Sequence, residues 1–224
     1  MGKPLHARTV LVLAPHPDDE VLGCGGTLLH YTKSDADITI IYLTDGRYGI
    51  DAGDIQTRRT EAESIKEILP TVKQLFWNFP DCALYENMLN IQLALKQVIT
   101  ELQPDLILSP WLFDRHPDHE ATSLILTEAL KEITEEVCIS LYEIMLPLIA
   151  NHTVNISAYA DEKQMLIDKY ESQVTRYNLK AINTRLNHYR AELFRRSNVK
   201  LAESFFVIEK SQFIELVDKL FCKN

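Results

Sequence analysis

Short apolar runs alternate along the chain with stretches in which apolar positions recur every three or four residues. The apolar runs predict buried strands at residues 9–14, 37–43, 74–77, 105–110 and 138–143. The stretches with a period of three to four predict helices at about residues 19–31, 56–69 and 88–102, and after His116. Strands that alternate with helices are typical of an α/β fold with a mostly parallel sheet and helices on both faces.

The last third of the chain has a different pattern. Helical periodicity near residues 161–173 and 179–196 is followed by a strand pattern near residues 204–208, which predicts a C-terminal α+β extension. No repeat, low-complexity tract or linker divides the 224 residues, and 46% of them are hydrophobic, enough for one well-buried core. We therefore expect a single Rossmann-like domain over residues 1–224.

The seven glycines all fall within the first 53 residues. One group, at positions 23, 25 and 26, lies in the first predicted helix, where a missing Cβ would let the helix pack closely on the sheet. A second group, at positions 46, 49 and 53, follows the second predicted strand. It predicts either a substrate loop at residues 45–53 or an ordinary surface turn.

Two short strings combine histidine, proline and carboxylate: HPDDE at residues 16–20 and HPDH at residues 116–119. Each follows a predicted strand, and its proline suits the first position of a helix. In open α/β sheets, functional groups gather beyond the carboxyl ends of the strands. If the two strands are neighbours, the strings meet there and form a metal site.

The residue types suit a catalytic metal. Zinc in enzymes usually takes three protein ligands and keeps one position open, and His16, Asp19 and His119 are the candidates. The spacing of three places His16 and Asp19 on one face of a helical turn. Two histidines and a carboxylate also form the ligand set of non-haem iron proteins, so we expect one Zn²⁺ per chain, with Fe²⁺ as the alternative.

Three further residues of the strings are candidates for catalysis. Asp18 lies between two predicted ligands and could act as a general base on the attacking water. His116, as an imidazolium, could stabilise an oxyanion or protonate the leaving group, and Asp118 could orient it through its ring N–H. An aspartate at a helix start is also a common N-cap, but two such strings in one chain favour a site.

The segments VLAPHPDDEVLGCGGTL (residues 12–28) and DRHPDHEAT (residues 114–122) closely resemble the LmbE-like, phosphatidylinositol-glycan class L family of metal-dependent deacetylases. Weaker matches are TDG, RRTEA, FPD, YESQ and AESF at residues 44–46, 58–62, 79–81, 170–173 and 202–205. The resemblance implies that His16, Asp19 and His119 bind zinc and that Asp18 deprotonates the water. It further implies that His116, supported by Asp118, stabilises the tetrahedral intermediate.

The resemblance also implies the reaction: removal of an N-acetyl group from an N-acetylglucosamine unit of a small glycoconjugate. An amidase acting on another acylated amino sugar or small amide, and a sugar-binding homologue without catalysis, remain alternatives. A nucleotide-binding dehydrogenase is disfavoured, because HPDDE stands where the GxGxxG motif should follow the first strand.

Arg58, Thr44 and Gly46 are the predicted substrate contacts. Arg58 could instead form a helix ion pair with Glu61, and either Arg58 or Arg59 could face the site. Trp111 could wall a sugar pocket or belong to the core. His188 could cover the site or serve only in helix packing.

Composition limits the partners and the location. A formal net charge of −9 argues against nucleic acid. No run of about 18 apolar residues predicts a membrane span, and the N-terminus lacks the apolar core of a signal peptide. The four cysteines form no CxxC pair, which argues against a cysteine–zinc cluster or a disulfide framework. We expect a cytoplasmic enzyme with an acetylated amino sugar as its small-molecule partner; the resemblance makes a homo-oligomer plausible.

Overall fold

A seven-stranded sheet forms the centre of the molecule. The computed structural model describes residues 2–49, 55–194 and 198–221. The strands are β1 (Thr9–Ala14), β2 (Asp37–Thr44), β3 (Lys73–Phe79), β4 (Leu106–Pro110), β5 (Cys138–Tyr142), β6 (His152–Asn155) and β7 (Ala202–Glu209). Their order is β3-β2-β1-β4-β5-β7-β6. The first five strands are parallel, whereas β7 runs antiparallel to both β5 and β6.

Eight helices are found in the described parts of the chain. They are α1 (Asp19–Lys33), α2 (Ile55–Ser64), α3 (Met88–Leu102), α4 (Pro117–Lys131), α5 (Ala160–Asp168), α6 (Glu171–Tyr177), α7 (Leu179–Glu192) and α8 (Lys210–Phe221). None of the helices in residues 2–49, 55–194 and 198–221 has the length and apolarity that crossing a bilayer requires.

The central strand β1 is buried on both faces. Val10 and Val12 point into a core that also contains Leu28 of α1, whereas Leu11 and Leu13 point into the core on the opposite face. The second core also receives buried residues of α3, α4 and α8. Because both faces of β1 are covered by packed side chains, its apolar run is unbroken. Helices on both faces of a mostly parallel sheet confirm the predicted α/β fold.

Several predicted elements differ from the structure in detail. The helix predicted near residues 161–173 is two helices, α5 and α6, and the one predicted for 56–69 ends as an α-helix at Ser64 and continues as a 3-10 turn at Ile65–Glu67. Strand β6 and helix α8 were not predicted. Gly53, Cys222 and the end of the helix predicted to reach residue 196 lie outside the described residues.

The strand order determines where a site can form. Strand β1 pairs with β2 on one side and with β4 on the other, so the chain reverses direction across the sheet at β1. Such a switch point opens a crevice beyond the carboxyl ends of the two central strands. HPDDE follows β1 and HPDH follows β4 within a few residues, so the sheet brings both strings to this crevice.

Helix α1 has a kink that the rest of the fold stabilises. Cys24 has non-helical angles of φ −141° and ψ 17°, which interrupt the helical hydrogen bonds. The carboxylate of Glu203 on β7 accepts from the N–H groups of Gly26 and Thr27, at 2.8 Å each. Lys163 of α5 donates to the carbonyl of Leu22 at 3.1 Å and pairs with Glu203 at 2.7 Å. These bonds satisfy the backbone groups that the kink releases.

Candidate active site

Three histidines from the two strings lie together in the crevice. The ring centroids of His16 and His116 are 4.3 Å apart, and His119 lies 5.4 Å from His16 and 5.2 Å from His116. Each ring offers a nitrogen within 4.8 Å of a nitrogen of the other two, which is close enough for a shared metal ion. The predicted meeting of residues about a hundred positions apart is therefore present in the fold.

Asp19 connects the two predicted histidine ligands. Its Oδ2 lies 3.1 Å from Nδ1 of His16 and 3.4 Å from Nε2 of His119. A tetrahedral zinc with bonds of about 2.0–2.1 Å separates its nitrogen and oxygen ligands by about 3.3 Å. These spacings and the His/Asp donor set fit a metal, so the structure contains a group that could bind one. His116 also lies within ligand range, so the choice of the first three as ligands remains a prediction.

A carboxylate lies near the outer nitrogen of each predicted histidine ligand. Nε2 of His16 forms a hydrogen bond of 3.2 Å with Oδ2 of Asp118, and Oδ1 of Asp81 lies at the same distance. Nδ1 of His119 has no hydrogen bond among the described residues, but Oδ1 of Asp114 lies 3.7 Å away. Metal-binding histidines usually direct the second nitrogen to a carboxylate in this way.

Asp118 contacts a different histidine from the one predicted. Its buried carboxylate accepts from the N–H groups of Cys82 and Leu84, at 2.7 and 3.2 Å, and bonds to His16. Its bond to His116 uses the backbone, because the N–H of Asp118 donates to Nδ1 of His116 at 3.3 Å. The expectation that the Asp118 side chain orients His116 is therefore wrong, since the side chain is directed at the opposite ring.

His116 is the N-cap of α4, and its Nδ1 acts as an acceptor there. Burial, together with the positive charge of His16 and His119, lowers the pKa of His116 below its usual range. An imidazole with an accepting Nδ1 is neutral and carries its proton on Nε2. This geometry favours a neutral ring with one N–H over the predicted imidazolium, and the catalytic role of His116 stays a prediction.

Asp18 has an unusual backbone conformation. Its φ of 122° lies in a region that residues with a side chain rarely adopt. The N–H of Asp18 donates to Oε2 of Glu20 at 3.2 Å, and Oδ2 of Asp18 lies 3.4 Å from Nη2 of Arg58. Arg58 also donates to the carbonyl of Pro17. Residues on both sides of Asp18 therefore fix a strained turn, as is common at functional sites.

Glu20 anchors this turn from inside the protein. It is fully buried, and its Oε1 accepts from the hydroxyl of Tyr42 at 3.0 Å and from the hydroxyl of Tyr170. Burial raises the pKa of Glu20 to about 7 despite these bonds. Tyr170 belongs to the YESQ match, so the third acidic residue of HPDDE connects to the C-terminal part of the fold.

The electrostatics favour cations in the crevice. Burial raises the pKa of Asp18 to about 6, although Arg58 counteracts this effect. Burial disfavours charge on His119, but Asp19 and Asp114 outweigh it and raise the pKa of His119 to about 9. The same interactions lower the pKa of Asp19. A field that attracts protons to buried histidines also attracts a metal cation that can replace those protons.

A cavity of about 480 Å³ opens above these groups. The predicted ligands, Asp18 and His116 form its polar part, and the exposed side chains of Tyr48, Met145 and Tyr177 line it further out. Its size suits a small molecule, and aromatic and apolar walls around a few polar groups are typical of ligand sites.

The predicted substrate contacts have different positions. Gly46 lines the cavity at φ 63°, where a Cβ would lie 3.0 Å from Nε of Arg58, so a larger residue would be strained there. Arg58 lines the cavity too, whereas Arg59 stacks on Phe76. Thr44 is not part of the cavity wall: its hydroxyl donates to the carbonyl of Pro15 at 2.8 Å. The predicted substrate contact of Thr44 is therefore a link between two loops.

Two other candidates are absent from the cavity wall. Trp111 is 7% exposed and packs against Phe113 and Phe206, so it belongs to the core. His188 is exposed on α7 and does not line the cavity. The sequence analysis assigned no role to Asp81, Asp114 or Glu20. The sequence could have indicated Asp81 and Asp114 as site residues, because each is a carboxylate just beyond the end of a predicted strand.

Known proteins resemble this chain in sequence and in fold. A sequence profile of the family described as GlcNAc-PI de-N-acetylase, PIG-L, matches residues 11–130, more than half of the chain. The chain belongs to this family, and the matched region contains both histidine strings.

Two curated relatives carry deacetylase names. The chain is 33% identical over 132 residues to a diacetylchitobiose deacetylase of Thermococcus kodakarensis. It is 31% identical over 139 residues to a probable N-acetyl-α-D-glucosaminyl L-malate deacetylase 2 of Bacillus anthracis. The matches cover 55% and 57% of this chain, and only 49% and 62% of the two relatives.

Among solved structures, the fold is similar to that of an N,N′-diacetylchitobiose deacetylase from Pyrococcus horikoshii. The TM-score is 0.80 at 22% sequence identity, and the superposition covers 92% of this chain and 86% of the other. At this identity the likeness establishes the shared fold.

Proposed function

We propose that the protein is a metal-dependent hydrolase that removes the N-acetyl group from an N-acetylglucosamine-type sugar. The observation that carries this proposal is the meeting of His16, Asp19 and His119 at the switch point of the sheet, with Asp18 beside them. Membership of the PIG-L family and the names of the two curated relatives support the same reaction.

His16, Asp19 and His119 would hold the metal, and zinc suits the combination of two imidazoles and one carboxylate. Iron(II) is the alternative for this ligand set. When bound, the metal polarises the amide carbonyl and lowers the pKa of the attacking water. Asp118 orients the ring of His16 through its hydrogen bond, and Asp114 would do the same for His119 if its carboxylate, now 3.7 Å from Nδ1, moved closer.

Asp18 accepts the proton of the attacking water. Its carboxylate lines the cavity, and Arg58 and Glu20 fix its position from either side. A base with a pKa of about 6 is ionised at neutral pH and still basic enough to take a proton in the transition state. Asp18 then returns the proton to the nitrogen of the departing amine.

His116 stabilises the oxyanion of the tetrahedral intermediate from the opposite side. Because its Nδ1 accepts the N–H of Asp118, the ring proton lies on Nε2, which makes a weak contact of 3.8 Å with Sγ of Cys82 and would donate more strongly to an oxyanion in the cavity. A preorganised donor of this kind typically contributes a factor of about 10² to 10³ in kcat.

The substrate is a small acetylated amino sugar, and the cavity supports this choice. Tyr48 and Tyr177 place aromatic rings near its opening, and about 480 Å³ accommodates one or two sugar units. The relatives above are named as a diacetylchitobiose deacetylase and a probable N-acetylglucosaminyl malate deacetylase, and both named substrates are N-acetylglucosamine conjugates.

The test is acetate release from a panel of N-acetylglucosamine conjugates, with matched O-acetyl sugars as controls. We expect release from at least one N-acetyl conjugate, loss of release with a chelator, and recovery on adding back Zn²⁺ or Fe²⁺. The ion that restores the higher rate of acetate release identifies the metal. Release that is unchanged by complete metal removal would contradict the mechanism.

A further inference from the structure

A second cluster of potential metal ligands lies beside the proposed site. Asp81 and Cys82 follow β3, and one ligand atom from each lies within 4.8 Å of the other and of a nitrogen of His116. Sγ of Cys82 is 3.8 Å from Nε2 of His116. A zinc ion bound to one thiolate and one imidazole separates those atoms by about 3.6 Å. The cluster therefore has a suitable spacing for a shared ion.

The backbone at Cys82 gives a second reason to examine this cluster. Its φ of 60° lies in the left-handed region, where glycine or asparagine is the usual residue. The conformation is fixed because the N–H of Cys82 donates to Oδ2 of Asp118 at 2.7 Å. Held in this conformation, Cys82 presents a solvent-exposed thiol next to His116.

Asp81 supplies an available oxygen. The residue is 5% exposed, and its Oδ2 accepts from the N–H of Tyr48 at 3.1 Å. Its Oδ1 is buried without a hydrogen bond among the described residues, because Nε2 of His16 bonds to Asp118 although Asp81 lies equally near. A buried carboxylate oxygen whose nearest donor, Nε2 of His16 at 3.2 Å, is already bonded to Asp118 gains from binding a cation.

We propose that Asp81, Cys82 and His116 form a second, thiophilic metal site, and that zinc bound there inhibits the enzyme. As the sulfur–zinc bond forms, the S–H bond of Cys82 breaks and its proton passes to solvent. Zinc binds Nε2 of His116 in its Nδ1–H tautomer, so one proton leaves Nε2 for solvent, another is taken up at Nδ1, and the bond from the N–H of Asp118 is lost. The imidazole is then no longer available to the oxyanion. The site itself stands on the geometry alone, whereas the inhibition rests on the proposed function.

The activity test uses the holoenzyme loaded with one equivalent of zinc and then titrated with more Zn²⁺. We expect a second equivalent to bind and acetate release to fall at least tenfold. In Cys82→Ser the inhibitory zinc concentration should rise at least tenfold, with each activity normalised to its own value at one equivalent. Cys138→Ser is the matched control, because Cys138 begins β5 at the amino ends of the parallel strands, whereas Cys82 follows the carboxyl end of β3.

A spectroscopic test works without activity. With Co²⁺ in place of zinc, the second equivalent should produce a thiolate-to-cobalt absorption in wild type and Cys138→Ser, and none in Cys82→Ser. Absence of that absorption in wild type, or second-equivalent binding unaffected by Cys82→Ser, would overturn the proposal. If the protein releases no acetate from any substrate, the proposed function fails, and the cobalt titration still decides whether the site exists.

Discussion

At the residue scale, the site depends on how a few side chains are held. Asp18 has a strained backbone between Glu20 and Arg58, and Asp19 spans the two predicted histidine ligands. The HPDDE string suggested Asp18 and Asp19 because of their types and spacing. It could not show that Glu20 and Arg58 hold them, because those contacts depend on the packing of β2, α2 and α6 around the turn.

Replacing the proposed base tests this arrangement first. Asp18→Asn keeps the size of the side chain and its place beside Arg58 but cannot accept the proton. We expect kcat to fall by about 10² to 10⁴ while the metal content stays near one per chain. Asp161→Asn, on the exposed face of α5, serves as the control and should leave kcat unchanged. Near-normal turnover of Asp18→Asn would remove Asp18 from its proposed role.

Arg58 and Arg59 are adjacent but differ in their contacts, so each serves as a control for substitution of the other. Arg58 is 2% exposed and contacts Asp18, whereas the guanidinium of Arg59 lies 4.6 Å from the ring of Phe76. A lysine cannot reproduce the forked donors of arginine, so Arg58→Lys should lower kcat/KM at least tenfold. Arg59→Lys should change it less than twofold. Equal effects of the two substitutions would argue against a special role for Arg58.

At the element scale, helix α1 is placed by two close contacts with glycine. A Cβ at Gly26 would lie 2.7 Å from Ile156, and one at Gly23 would overlap the ring of Tyr142 on β5. A Cβ at Gly25 meets nothing nearer than 3.7 Å. The predicted tight packing on the sheet is thus found at Gly23, whereas Gly26 packs tightly against a residue that follows β6. The sequence could not distinguish them, because the distinction depends on the kink at Cys24 and on the neighbours across the sheet.

The three glycines provide a stability test with an internal control. Gly23→Ala and Gly26→Ala should each lower the free energy of unfolding by about 1–3 kcal/mol, because the added methyl group overpacks the interface. Gly25→Ala should be neutral or slightly stabilising, since alanine favours helix over glycine by up to about 1 kcal/mol. Urea unfolding measures all three. A destabilisation by Gly25→Ala as large as that by Gly26→Ala would contradict the packing described.

At the scale of the whole molecule, the order of the strands in the sheet determines where the site forms. The alternation of apolar runs and helices predicted the parallel strands, but not that β1 lies between β2 and β4. That order follows from pairing across the sheet, and it brings together histidines about a hundred positions apart. Strand β6 was missed because a single one of its four residues is buried. Helix α8 was missed because no element was predicted after the last strand.

Metal binding should raise the free energy of unfolding of the whole domain, because the proposed ligands follow two different strands of the sheet. Free metal at about 100 times its Kd stabilises the folded state by about 2.7 kcal/mol. For a domain of this size, that corresponds to a rise in Tm of roughly 5–10 °C. We expect a chelator to lower Tm by this amount and added metal to restore it. The Tm of a His119→Ala variant should respond much less, and an equal response would place the stabilising metal elsewhere.

The central claim is that one metal ion is bound by side chains from both strings. The most direct measurement is an anomalous-difference map from a crystal of the protein loaded with one equivalent of zinc. The account predicts one peak, within bonding distance of His16, Asp19 and His119 together. A peak bound by residues of one string alone, or no peak in the crevice, would contradict it.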